Sequence, residues 1–249
     1  VFTKIKLLKT IKIGGIFLAS FLFLFFLYYQ FGGNQDREII VLPNYGPIQI
    51  SAKGDTLAHQ VSSFSFVNQF GQTVNEKNFD GCIYVADFFF TTCQSICPKM
   101  SNSLLRVQKA FSNNPRIKIL SHTVMPEEDN SEVLRVYANQ FKARPGKWEF
   151  VTGSKKELYR MARDQYFVVE DKGNGDENDF IHTQMFVLVD RHKNIRGYYE
   201  GTDSLDVNRL IKEIKMVERE NEYTKEFTKI KTLNLVINKL RLHGCLKIN

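Results

Sequence analysis

Hydrophobic positions along the 249-residue chain fall into runs of three kinds, and each predicts a different element. The first kind is solid and uncharged. It runs from Ile13 to Tyr29, with Phe or Leu at most positions. With Gln30 to Gly33 it reaches about twenty residues, the short end of what spans a hydrocarbon core of ~30 Å as a helix. The second kind is short and rich in β-branched and aromatic residues. Ile83 to Phe89, Ile117 to Val124, Trp148 to Val151, Gln184 to Asp190 and Ile195 to Tyr199 read as strands. The third kind repeats with the helical period. Met100, Leu104, Val107 and Phe111 mark one stripe, and Leu134, Tyr137, Ala138 and Phe141 a second. Leu158, Met161 and Ala162 mark a third, and Val207, Leu210, Ile211, Ile214 and Val217 the last. Pro98, Ser131 and Ser154 suit helix starts, the proline in a first turn and the serines as caps.

Polar and breaker residues separate these elements. Asp36 to Lys53, with Pro43, Asn44, Gly46 and Pro47, reads as a linker. Ser62 to Val67 and Gln72 to Val74 flank the turn Asn68-Gln-Phe-Gly71 as a small hairpin. Lys77 to Gly81 is a turn, and Tyr166 to Val169 is predicted to be extended. Glu170 to Asp179, with five acids and one Lys, reads as a solvated insertion. Strands alternating with helices, then a closing hairpin and helix, predict an α/β fold of the thioredoxin type over residues 60–218. Around it lie a basic terminus over 1–12, an anchor over 13–33, a linker over 34–59 and a basic extension over 219–249. Leu233, Leu235, Val236, Ile237, Leu240 and Leu242 in that extension suit an amphipathic helix resting on a membrane or partner, or an atypical tail.

Charge changes the picture at the two ends only. The net charge is +7, of which Lys4, Lys6, Lys9 and Lys12 contribute +4 and residues 219–249 another +4. Residues 13–218 are therefore nearly neutral, and no basic nucleic-acid face is expected. Lysines before the apolar run place that side in the cytoplasm and everything after Gly33 across the membrane. With no small-x-small cleavage site after Tyr29 and no nearby cysteine to lipidate, an uncleaved single-pass anchor is expected instead of a signal peptide.

Four cysteines, at 82, 93, 97 and 245, are too few for a disulfide scaffold. Cys93 and Cys97 sit where the strand from Ile83 runs into a helix N-terminus, whose partial positive charge favours thiolates. Two such sulfurs suit either one soft ion or a redox pair without metal. Among five histidines, His182 is the best candidate for a third ligand, because it follows the acidic insertion and opens a strand. His122 lies within a buried strand, where a hydrogen-bonded core residue is expected. His59, His192 and His243 read as incidental. Met100, Met125 and Met185 read as packing, although thioether sulfur also suits copper. Cys82 stands at the opposite end of its strand, roughly 30 Å from Cys93 at ~3.3 Å per residue, and cannot share an ion with it.

Phe88-Phe-Phe-Thr-Thr-Cys93-Gln-Ser-Ile-Cys97-Pro98 resembles the Cys-x-x-x-Cys-Pro signature of the Sco (SenC) family. These are membrane-anchored thioredoxin-fold proteins of cytochrome c oxidase assembly. The likeness continues through Ser121 to Tyr137, Trp148 to Gly153 and His182-Thr-Gln-Met-Phe-Val-Leu-Val-Asp190. The resemblance implies copper, as Cu(I) or Cu(II), bound by Cys93, Cys97 and His182. It also implies delivery of that copper to the binuclear copper site of the oxidase's copper-receiving subunit, or reduction of that site's cysteines from disulfide to thiols. A copper donor or a thioredoxin-like reductant would be a further partner. The implied setting is a bacterial inner membrane with the domain facing the periplasm. A thiol-disulfide oxidoreductase in which Cys93 attacks and Cys97 resolves is the alternative. Three positions depart from the family's usual pattern: Gln94 stands for Pro, Ile181 for Asp and Met125-Pro126 for Asp-Pro. They bear on redox poise and on the surroundings of the ligands, not on the ligand set.

Overall fold

A computed structural model describes residues 18–27, 41–50, 56–169, 180–220 and 222–223. The chain divides into two units, 1–39 and 40–249. In the first, residues 18–27 are helical (α1), with Leu18 and Phe21 to Phe26 exposed. Among the described residues no helix is long and apolar enough to cross a membrane. The remainder of the expected anchor, the acidic insertion over 170–179 and the tail over 224–249 lie outside the described residues.

The second unit is organised by the strand whose residues are least polar. β5 (Ile83–Phe89) is buried at every position, which requires cover on both faces of its sheet. Its neighbours in sequence order are β1 (Gln49–Ile50), β2 (Thr56–Leu57), β3 (Ser65–Asn68) and β4 (Thr73–Asn75) before it. After it come α2 (Ile96–Ala110), β6 (Ile117–Thr123), α3 (Ser131–Gln140), β7 (Trp148–Thr152) and α4 (Lys155–Arg160). β8 (Met185–Val189), β9 (Ile195–Glu200) and a last helix over 204–220 (α5) complete it. Seven strands form one sheet in the order β4-β3-β7-β6-β5-β8-β9. β5, β6 and β7 run parallel, joined through α2 and α3, while β8 lies antiparallel to β5. This is the mixed, thioredoxin-like α/β arrangement that the alternation of runs predicts.

Alternation along β5 divides the core. Ile83, Val85 and Phe89 face a cluster containing Met100, Leu104 and Val107 of α2, Leu134 of α3, and Val207, Leu210, Ile214 and Val217 of α5. Tyr84, Ala86 and Phe88 face the other cluster, with Phe66, Leu158, Tyr159, Met161 and Tyr166. Each fully buried Leu, Val or Phe contributes about 1.5–3 kcal/mol, so three of the four helical stripes read from sequence hold α2, α3 and α5 to this face of the sheet.

α2 begins at Ile96 and holds Pro98 in its first turn, as expected. Other boundaries differ from expectation for local reasons. Asn130, not Ser131, caps α3, its side chain accepting from the N–H groups of Glu132 and Val133. After α4 the turn widens into a π segment, Met161–Gln165, closed by Tyr166 N–H donating to the Met161 carbonyl at 2.8 Å. Tyr166 to Val169 is consequently not a strand. Phe167 takes a left-handed φ of 53° and the Val168 N–H folds back to the Ala162 carbonyl.

Candidate functional site

A helix opens with backbone N–H groups that have no partner inside it. At the start of α2 the cap residue Ser95 makes no side-chain bond to them. The Cys93 sulfur takes that place, accepting from the Cys97 N–H at 3.4 Å. Burial alone would raise the Cys93 thiol. The N–H groups of Cys97, Ser95 and Ile96, together with the Cys97 thiol, outweigh it and bring Cys93 down to about 7. Cys97 differs in kind. It is 5% exposed, and burial pushes its thiol up to about 12 against the opposing bond to Phe90, with Cys93 and Asp87 adding to the rise. One sulfur is thus half-buried and readily ionised, and the other is protonated behind it. Both are free thiols.

The loop carrying Cys93 is held from the side by a carboxylate. Asp129, 1% exposed, accepts from the Thr91 N–H at 3.2 Å and from the Thr91 hydroxyl, and also from the Thr123 hydroxyl. Thr123 Oγ1 in turn accepts from the Met125 N–H at 3.0 Å. One buried side chain therefore ties the β5–α2 loop to the β6–α3 loop.

His182 is exposed and follows Ile181, which is buried in the second core cluster. Two residues before His182, the Phe180 ring packs edge-on against Phe90 at 5.4 Å. Phe90 belongs to the cysteine loop, its carbonyl accepting from the Cys93 N–H at 3.3 Å. The segment entering β8 therefore reaches the cysteine loop. Among the described residues, however, no three His, Cys, Asp or Glu side chains converge into a metal-holding group. The pair is assembled, and the imidazole is not gathered onto it in this conformation.

The other sequence candidates fall elsewhere. Cys82 is buried at the far end of β5 from Cys93, and Cys245 lies outside the described residues. His59 bonds the Gln165 carbonyl at 2.9 Å. His122 is fully buried, its Nδ1 3.2 Å from the Asp87 carbonyl oxygen, and among the described residues its Nε2 has no hydrogen-bond partner.

Two carboxylates were not singled out from sequence. Asp129 is one, and its neighbours Glu127 and Glu128 disguise it. Asp87 is the other, the lone acid in a buried apolar strand, and that isolation is a usable signal. Its Oδ1 accepts from the Ser121 hydroxyl at 2.5 Å, and Ser121 Oγ accepts from Trp148 Nε1 at 2.8 Å. Burial raises the Asp87 carboxyl to about 7, the Ser121 bond opposing. It lies on the Ile83–Phe89 face of β5, the side covered by α2.

Two soft donors on a helix start, one half-buried and one buried behind it, with an imidazole two residues from the Phe180 ring that touches their loop, fit a soft cation and equally a thiol–disulfide exchange. Comparison with known proteins bears on the choice. The family profile described as SCO1/SenC matches residues 52–219. A SCO1 protein homolog of Bacillus subtilis is 31% identical over 163 residues, covering 65% of this chain and 84% of its own length. The structure of BsSco, a member of the Sco family of cytochrome c oxidase assembly proteins in which a disulfide switch is identified, is similar with a TM-score of 0.55. It is 28% identical, covering 64% of this chain and 93% of its own. Arabidopsis thaliana ScoI with copper bound is similar with a TM-score of 0.52 and 27% identity, covering 64% and 98%.

Proposed function

The chain belongs to the SCO1/SenC family, and from that premise we propose that it binds copper as cargo for the assembly of cytochrome c oxidase. The reading assigns Cys93, Cys97 and His182 as the ligands. The two thiolates supply soft donors for Cu(I), and the imidazole completes a set that also suits Cu(II). The observation that carries it is the junction at Phe90. The residue that receives the Cys93 N–H also receives the Phe180 ring, two residues from His182. An extended pair of residues spans about 7 Å, so a modest movement of this segment brings the imidazole to the sulfurs.

Residues 13–33 would anchor the protein in a bacterial inner membrane, with the domain in the periplasm. The partner would be the copper-receiving subunit of the oxidase, with a copper donor upstream. The test is copper stoichiometry and the visible spectrum of the full chain in detergent, wild type against His182→Ala. About one copper per chain is expected, with the thiolate–Cu(II) absorption lost in a variant that keeps its far-UV circular dichroism. A wild-type protein that stays metal-free at micromolar copper with both thiols reduced overturns the reading.

A second reading is favoured by the unequal exposure of the two sulfurs. In a thiol-disulfide oxidoreductase, the Cys93 thiolate attacks a partner disulfide, forming a mixed disulfide and releasing one partner thiolate. Cys97, losing its proton to solvent, then attacks the Cys93 sulfur. That step forms the Cys93–Cys97 bond and releases the second thiol, so two electrons pass to the partner. Turnover that survives His182→Ala and is lost in Cys93→Ser and in Cys97→Ser supports it. Activity retained in either cysteine variant refutes it.

A further inference from the structure

Met125 is a soft donor beside the cysteine loop that neither reading uses. Its backbone is fixed on both sides. The N–H donates to Thr123 Oγ1 at 3.0 Å, and the carbonyl accepts from the N–H groups of Glu128 at 3.1 Å and Asp129 at 2.9 Å. Just before it, the Val124 N–H donates to the Phe89 carbonyl at 2.9 Å, so β6 stays joined to β5 up to the point where the cysteine loop leaves the sheet. The thioether turns toward that loop. Its sulfur lies 4.0 Å from the hydroxyl of Thr92, the residue bonded to Cys93. Asp129, binding Thr91 and Thr123 together, holds the two loops in that relation.

Met125 packs against the edge of the second core cluster and is only partly buried, so packing does not enclose the whole side chain. A thioether is a neutral, polarizable donor that suits Cu(I) far better than Cu(II) or zinc. Resting on the copper reading above, we propose that the Met125 sulfur is a third sulfur donor to copper held by Cys93 and Cys97. It serves the reduced ion, as His182 serves the oxidised one. Met125 is then a selectivity residue for oxidation state.

The test measures Cu(I) affinity of the full chain by competition with a colorimetric Cu(I) chelator, and the Cu(II) visible spectrum, in wild type and Met125→Leu. Leucine nearly preserves the volume, and a denaturant curve checks the fold. Cu(I) binding is expected to weaken roughly tenfold or more, the scale on which even supporting contacts at metal sites are felt. The Cu(II) spectrum should be unchanged, and X-ray absorption of the Cu(I) form should lose one sulfur neighbour. Equal Cu(I) affinity in the two proteins overturns the proposal. So does a Cu(II) spectrum that changes together with the Cu(I) affinity, which would mark Met125 as packing. Wild type that takes up neither ion is the failure of the parent reading, and this inference falls with it.

Discussion

The Cys97 amide donates its hydrogen to the Cys93 sulfur across 3.4 Å, so the second cysteine of the pair caps the first with its backbone while burying its own thiol. The two sulfurs are thereby made unequal by the helix they open. Cys93 is held near 7 and is accessible, whereas Cys97 is pushed up to about 12. Iodoacetamide should modify Cys93 first, with a rate that rises through a midpoint near pH 7. Cys97 should stay unmodified until well above pH 9. Peptide mapping by mass spectrometry over pH 5 to 9 checks this, and also separates Cys82 and Cys245 from the pair. Comparable rates at the two positions would show that the helix N-terminus does not discriminate between them.

The clamp made by Asp129 should be worth a measurable share of the stability. Asp129→Ala removes the acceptor of the Thr91 N–H and of the Thr91 and Thr123 hydroxyls. Each buried donor left without a partner costs about 1–3 kcal/mol, and water entering the gap returns part of that. A loss of roughly 2–4 kcal/mol in urea unfolding is expected on that scale. Faster hydrogen exchange should appear at residues 90–93 and 123–126 together. Asp129→Asn keeps an acceptor oxygen and should lose less. Exchange that rises in only one of the two loops would show that they are not joined through this side chain.

What the sequence disclosed depends on how local each cause was. The solid run Ile83 to Phe89 became a strand with those ends, because a continuous apolar run bounded by turn residues marks its own limits. The stripe from Met100 to Val107 is buried throughout, because its spacing is regular. Pro98 marked the first turn of α2 but not its first residue, because proline is tolerated throughout a first turn, and the true beginning lies at Ile96. Ser131 and Asn130 are both good caps, and sequence does not rank adjacent ones. The π segment at Met161–Gln165 has no compositional mark. Asp129 was hidden because its partners, Thr91 and Thr123, are brought to it by folding. Asp87 was legible in principle, since an acid in the middle of a buried apolar run needs a reason, and Ser121 with Trp148 supplies it.

Asp87 and His122 provide the strongest pH test, because burial moves their protonation in opposite senses. The Asp87 carboxyl is raised from its ordinary value near 3.8 to about 7 by burial, the Ser121 bond opposing. The folded protein therefore holds a proton that the unfolded chain has released. That stability is complete below about pH 4 and is lost as pH rises through about 7. His122 is lowered from 6.5 to about 4 by burial, the bond to the Asp87 carbonyl opposing. Its contribution is complete above about pH 6.5 and is lost as pH falls through about 4. In the wild type the two slopes, each up to about 1.4 kcal/mol per pH unit, oppose one another from about pH 4 to 6.5. Asp87→Asn should remove the falling limb. Its unfolding free energy should climb with pH relative to wild type across that window, and the variant should be the more stable protein at pH 8. His122→Phe, set among Phe66, Phe88 and Tyr166, should remove the rising limb and leave a steady decline toward pH 7. Slopes from urea unfolding at successive pH values are the readout, since they are insensitive to a constant packing cost in either variant. An Asp87→Asn protein that keeps the wild-type slope would mean the carboxyl is ionised inside the fold, and that the bonds from Ser121 and its surroundings, not protonation, satisfy it.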